Sequence, residues 1–273
     1  MHFVKMHGTG NDFIILDNRD NHIPAAEYPS VAARICRRRI SLGADGVIVI
    51  LPPQEGGDYS VLFYNPDGTI AQMCGNGARC AARYGHDQGL AGDIQRIETT
   101  AGMIFCQRIE DDLYCVRLND PSRIDPEIGI PWEGRILSCT YAELGKPGIP
   151  HAVVELEDWD LLDREDLTDL GKMIRSWGVF PIGANVTFWK KLDSDRYKVI
   201  TYERGVEEFT LSCGTGAGST AVALYLRSLL GGGTVTLEYP GGELLVSLTE
   251  DEGKITDIYL TGPAEYVAQG EVF

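Results

Sequence analysis

The sequence contains no Cys-x-x-Cys and no His-x-x-x-His pair, so the usual spacings of a zinc site are missing. It has no apolar run near the roughly 18 to 20 residues that span a bilayer, the best being Val47 to Leu51. The N-terminus, MHFVKMHGTGND, lacks the unbroken apolar stretch of a secretory signal. Positive charge is scarce: 24 Lys plus Arg stand against 40 Asp plus Glu, a formal charge of −16, which disfavours nucleic acid and anionic membranes as partners. A soluble, cytoplasmic protein is expected, without a metal.

What the chain does have is length, glycine and cysteine. Its 273 residues, 44% of them hydrophobic, suffice for two ordinary domains with real cores. Glycine, at 32 residues, exceeds its usual share of about 7%, so many positions need turns or close approach. The seven cysteines are an odd number, which argues against a disulfide framework and for buried thiols.

Apolar β-formers flanking glycines predict a strand over Phe3 to Met6, a turn over His7 to Asn11 and a strand over Phe13 to Leu16. A helix is expected from Pro29 or Ser30, with Val31, Ala32 and Ile35 on one face. Arg37, Arg38 and Arg39 are read as cations complementing its C-terminal end in solvent, with phosphate binding the lesser alternative. Strands are expected at Val47 to Leu51 and Tyr59 to Phe63.

The segments NPDGTIAQMCGNGARCAARYGHDQG and YERGVEEFTLSCGTGAGSTAVALYL follow one plan: a turn, a cysteine, a Gly-x-Gly loop and a helix rich in alanine. Cys74 to Glu98 is 24 residues and Cys213 to Glu238 is 25; Cys74 to Pro121 is 47 and Cys213 to Pro263 is 50. This is an internal repeat. It predicts an α/β protein of the α+β type: two pseudo-symmetric domains, each a mixed or antiparallel sheet around a central helix. The first is placed at 1–119 and the second at 120–263, with residues 264–273 free to return to the first. A linker rich in Pro and Asp is expected near Asn119 to Pro131.

Each repeated cysteine precedes a helix start, where unpaired N–H groups and the helix dipole favour negative charge. A thiolate is stabilised there. So is a ligand carboxylate, held by the N–H groups of Gly75, Asn76 and Gly77 or of Gly214, Thr215 and Gly216. Facing each other, Cys74 and Cys213 would suit inversion at carbon, one thiolate removing a proton while the opposite thiol donates one. Either motif alone is more simply a structural cysteine. Two in register within a repeat favour function, and Cys36, Cys80, Cys106, Cys115 and Cys139, which lack the setting, are read as structural.

The strings KMHGTGNDFIILD, SLGADG, NPDGTIAQMCGNGARC, PHAVV, GANVTF, YERG and SCGTGAGSTA, in order over nearly the whole chain, resemble the signature segments of the diaminopimelate epimerase family. The resemblance implies interconversion of LL- and meso-diaminopimelate on the route to lysine and peptidoglycan, with no cofactor, and a site in the cleft between two domains. It implies that Cys74 and Cys213 are the acid/base thiols, with Gly75, Asn76, Gly214 and Thr215 at the reacting carboxylate. Asn11, Asn65, Asn185 and Arg204 match positions that hold the substrate, and His151 and Glu203 match polar groups lining the site. For His151 alone a satisfied structural histidine is the simpler reading, and for Glu203 beside Arg204 a surface ion pair.

Two departures concern the substrate's distal end. Ile149 stands where the family usually has Asn, and the segment from Glu203 to Cys213 is one residue longer than the usual pattern. The alternatives are a racemase of another amino acid on the same scaffold and a redox-responsive protein that binds a small ligand. Retained Asn65, Asn185 and Arg204 weigh against the racemase, because a substrate without a distal carboxylate would leave them unpaired. A homodimer is carried as the expected assembly.

Overall fold

The computed structural model describes residues 1–71, 73–230 and 233–273. The chain divides into two compact units, Met1–Arg117 with Thr261–Phe273, and Leu118–Leu260.

The first unit contains strands β1 (His2–Gly8), β2 (Asn11–Asp17), β3 (Gly46–Leu51), β4 (Tyr59–Tyr64), β5 (Ile70–Ala71), β6 (Ile94–Thr99), β7 (Gly102–Arg108) and β8 (Leu113–Arg117). Helix α1 (Tyr28–Ile35) joins β2 to its parallel neighbour β3, as a parallel pair requires a crossover. Because β2 and β3 lie inside the sheet with both faces covered, they read as continuous apolar runs. Val31, Ala32 and Ile35 of α1 pack on Ile14, Leu16, Val47 and Val49. The second helix, α2 (Gly75–Asp87), packs against β1, β2, β7 and β8 and buries Ala78, Cys80, Ala81 and Ala82 completely.

The second unit contains β9 (Pro121–Trp132), β10 (Arg135–Leu144), β11 (Ile149–Glu155), β12 (Asn185–Lys191), β13 (Arg196–Tyr202), β14 (Phe209–Thr210), β15 (Thr234–Tyr239), β16 (Gly242–Asp251) and most of β17 (Lys254–Pro263). Helix α3 (Arg164–Arg175) joins the parallel pair β11 and β12; Asp163 caps it by accepting from the Asp166 N–H at 2.8 Å. Its Leu170 and Ile174 pack with Tyr141, Phe180, Val186 and Phe188. Helix α4 (Gly214–Leu226) packs against β10, β11, β12 and β16, and every residue from Gly216 to Leu224 is buried.

The two ladders have the same plan. In the first unit β18 (Glu265–Glu271), β1 and β2 run antiparallel in turn, β2 is parallel to β3, β3 antiparallel to β4, β4 parallel to β6, and β6 antiparallel to β7. In the second, β9, β10 and β11 run antiparallel, β11 is parallel to β12, β12 antiparallel to β13, β13 parallel to β15, and β15 antiparallel to β16. The two-residue strands β5 and β14 pair at equivalent places, just before α2 and α4. The repeat seen in the sequence is therefore a repeat of topology.

One expectation is corrected. The stretch Asn119 to Pro131 is no linker, because β9 occupies it and pairs with β10 from Pro121 to Trp132. Three prolines suggest a loop, but the register breaks between Cys139 and Tyr141, which leaves Pro126 outside the ladder where its missing N–H does no harm. No helix among the described residues is long and apolar enough to cross a membrane.

Candidate active site

In the first unit, the tight turn at Thr9 and Gly10, both with positive φ, delivers Asn11 to the start of β2. Cys74 is the N-cap of α2, with extended φ/ψ of −130° and 121°, so its half-buried sulfur stands beside the helix's first turn. The Asn11 carboxamide joins these elements. Its Nδ2 donates to Asp45 Oδ2 at 2.8 Å, and its Oδ1 accepts from Cys74 Sγ at 3.5 Å and from Asn76 Nδ2 at 3.3 Å. A carboxylate only accepts, so Asp45 fixes which end of the amide faces the thiol.

Asp45 is itself held. It accepts from the Asp12 N–H at 3.1 Å and from Arg38 at 2.8 Å, while Arg38 and Lys5 bind Asp12 at 2.7 and 2.9 Å. Burial opposes ionisation of Asp12, but hydrogen bonds from Arg38 and Lys5 outweigh it and hold its carboxyl below the ordinary range. The arginine run is thus not simply solvated: Arg38 is locked onto two carboxylates contributed by other segments. Asn65 makes no hydrogen bond to this group. It is exposed in the turn after β4, where its Nδ2 donates to Thr69 Oγ1 at 2.9 Å.

In the second unit, Cys213 is the N-cap of α4, with φ/ψ of −133° and 113°; its Sγ accepts from the Gly216 N–H at 3.4 Å and lies 3.6 Å from Thr215 Oγ1. Gly216 has no room for a side chain, since a Cβ there would lie 2.9 Å from Thr201 Oγ1 and 3.1 Å from Thr187 Oγ1. Parallel pairing of β11 with β12 sets His151 opposite Asn185. Asn185 Oδ1 accepts the Arg204 N–H at 2.8 Å, which turns Nδ2 toward His151 Nε2 at 3.3 Å. Nε2 must therefore accept, and Nδ1–H donates to Thr187 Oγ1 at 3.4 Å. The Thr215 hydroxyl, 2.9 Å from the same Nε2, can then only donate to it, leaving its oxygen lone pairs for the Cys213 sulfur.

His151 is fully buried, and burial, aided by the Arg204 charge, lowers its pKa to about 3. It is a neutral acceptor that orients Thr215, not a proton store at neutral pH. Glu203 does not pair with Arg204: Glu203 Oε1 accepts from Thr210 Oγ1 at 2.6 Å, and Arg204 Nη1 donates to the Ile182 carbonyl at 2.8 Å. No carboxylate of the described residues forms an ion pair with Arg204, so its fork can receive one from a ligand.

The remaining cysteines differ in setting. Cys36, Cys80, Cys106 and Cys139 are buried, and burial pushes their thiols up, to about 12 for Cys36, Cys80 and Cys139. Asp45, Thr187 and Arg38 touch the groups around the two N-cap cysteines although sequence reasoning gave them no such role. Asp45 and Thr187 fall within the strings SLGADG and GANVTF, which was the available signal.

The sequence profile of the family described as diaminopimelate epimerase matches residues 3–121 and 145–267. Curated diaminopimelate epimerases from Aquifex aeolicus, Synechocystis sp. and Archaeoglobus fulgidus are 35%, 36% and 37% identical to the chain, covering 100%, 98% and 98% of it and 98%, 98% and 95% of themselves. Among solved structures, a Bacillus anthracis phenazine biosynthesis protein of the PhzF family superposes with a TM-score of 0.78 at 16% identity, covering 100% of this chain and 99% of its own. A probable proline racemase from Agrobacterium radiobacter does so at 0.70 and 18%, covering 100% and 92%. These two show the shared fold. The chain belongs to the diaminopimelate epimerase family.

Proposed function

We propose that this protein epimerises LL-diaminopimelate to meso-diaminopimelate without a cofactor, with Cys74 and Cys213 as base and acid. The observation that carries the reading is the doubled motif: each topological repeat opens its central helix with a cysteine at the N-cap. One thiolate takes the α-proton and becomes a thiol; the other thiol gives its proton to the opposite face and becomes a thiolate. Atoms and charge balance, and the two sulfurs exchange states with each turnover. The intervening carbanion places charge on the α-carboxylate, which the N–H groups of Gly75, Asn76, Gly214 and Thr215 are suited to stabilise.

Asn11 and Thr215 present oxygen to Cys74 and Cys213, and His151 fixes Thr215. Arg204 and Asn185 are assigned to the distal amino-acid end and Glu203 to the lining near the thiols; Asn65 is carried as a further substrate-holding residue, its second amide hydrogen and its oxygen left open beside the bond to Thr69. The reading also expects a cytoplasmic homodimer, the assembly being checked by light scattering.

Incubating pure protein with LL-diaminopimelate and resolving the stereoisomers tests the reading. Meso product with α-hydrogen exchange is expected. Ligand binding without exchange would instead mark a binding protein.

A further inference from the structure

Arg79, on α2, is fully buried, and no carboxylate of the described residues pairs with it. Its Nη2 donates to Thr9 Oγ1 at 2.9 Å, its Nε donates to the Pro263 carbonyl at 3.3 Å, and Nη1 has no hydrogen-bond partner. A buried cation without a counter-ion is strongly destabilising, so an arginine here needs an offset that a neutral side chain would not. Burial lowers its pKa to about 10, which still leaves it charged at neutral pH.

The guanidinium lies by the first turn of the helix. Arg79 follows Cys74 by five residues, about 7.5 Å along the axis, and helical side chains lean back toward the N-terminus. Gly8 shows how close it comes: a Cβ there would lie 2.8 Å from the Asn76 carbonyl oxygen and 3.1 Å from Arg79 Nη2. Through Thr9 the same group ties down the turn that carries Asn11.

The thiols of Cys74 and Cys80 on its own helix, Cys106 on β7 and Cys115 on β8 lie close enough to interact electrostatically with Arg79. Burial pushes the last three up and keeps them protonated. On the other strands packed against α2, Lys5 and Asp12 pair with each other, Asp17 pairs with Arg19, His7 accepts from the Gly10 N–H, and Tyr59 donates to the Ala81 carbonyl. Cys74, half-buried at the N-cap, is the one facing group whose anion this charge can favour. The second repeat has no equivalent: Gly218 stands in the place of Arg79, and a Cβ there would lie 2.8 Å from Leu118 and 3.0 Å from Leu144.

We propose that the Arg79 guanidinium is a positioning residue for Cys74, a fixed buried cation that favours its thiolate, with no counterpart for Cys213. The proposal rests on the two-thiol reading above, but its test needs no substrate. Intact protein is alkylated with iodoacetamide over a range of pH, and the extent at each cysteine is read by peptide mass spectrometry.

In the wild type the Cys74 midpoint should fall below the ordinary thiol value of about 8.5. Arg79→Met and Arg79→Gln should raise it by at least about one pH unit, the order expected of one nearby charge at an effective dielectric near 20, and leave Cys213 unmoved. Arg79→Lys, which keeps the charge and loses the fork, should retain a low midpoint. A wild-type Cys74 midpoint at or above 8.5, an unchanged midpoint in a folded neutral variant, or an equal shift at Cys213 would overturn the proposal. If neither neutral variant folds, the wild-type and Arg79→Lys midpoints decide it. Failure of the epimerase reading would appear elsewhere, as absent α-hydrogen exchange by the wild type.

Discussion

The Asn11 carboxamide turns its oxygen, not its nitrogen, toward the Cys74 sulfur, 3.5 Å away. This polarity is imposed from outside the pair, because Asp45 takes the amide nitrogen at 2.8 Å and is itself fixed by Arg38.

Asp45→Ala should therefore free the amide to flip and present N–H groups to the sulfur and to Asn76. Loss of one oriented hydrogen bond, about 1 to 1.5 kcal/mol, corresponds to roughly a tenfold fall in kcat. Asp45→Asn, which still offers one acceptor, should lose less. Steady-state kinetics with circular dichroism as a folding control check this; full activity in folded Asp45→Ala would contradict the role.

Cys74→Ala and Cys213→Ala should each abolish epimerisation, while Cys36→Ala and Cys139→Ala retain it. The second pair are buried thiols away from any helix start, and burial pushes both up to about 12. Removing either buried sulfur should lower stability by about 1 to 2 kcal/mol, read by urea unfolding, without stopping turnover. Turnover by either N-cap variant would remove the catalytic assignment.

Much of this was legible in the sequence because it depends on local rules. Alternating and continuous apolar runs mark β2, β3 and β4, and the doubled Cys-Gly-x-Gly marks both helix starts. Non-local partners were not legible. Arg38 looked like the end of a basic run because Asp12 and Asp45 come from other segments, and β9 looked like a linker because only its pairing with β10 shows that Pro126 sits at a register break. Asn185 and His151 lie 34 residues apart in sequence and meet through strand register, whereas Asn65 is turned onto its own loop.

Arg204 has no carboxylate partner among the described residues, and it is assigned to the distal carboxylate of the substrate. Arg204→Lys keeps the charge but loses the bidentate fork, so kcat/KM for diaminopimelate should fall at least tenfold, and discrimination against amino acids with one carboxylate should shrink. Ile149→Asn, at the half-buried start of β11, should be tolerated and should lower KM. A wild-type preference for a monocarboxylic amino acid would contradict the distal assignment.

His151 links stability to pH. Its pKa is about 3 folded against about 6.5 unfolded, so between these values the unfolded chain binds more protons. Stability from this group is present above pH 6.5 and is lost as pH falls toward 3, at about 1.4 kcal/mol per unit. Urea unfolding of wild type and His151→Gln across that range should show a shallower decline in the variant. Parallel declines would show that His151 does not titrate as its burial requires.

Two opposed thiols are tested most directly by where solvent hydrogen appears in the first turnovers in D₂O. A single base serving both faces could return the proton it removed, leaving protium in the product. With Cys74 and Cys213 as separate groups, the thiol that reprotonates already carries deuterium from solvent. Early product should then be almost wholly deuterated at the inverted carbon, while unreacted substrate stays largely protiated. Mass spectra of stereoisomers resolved at low conversion decide the matter, and substantial protium in the product would contradict a two-thiol mechanism.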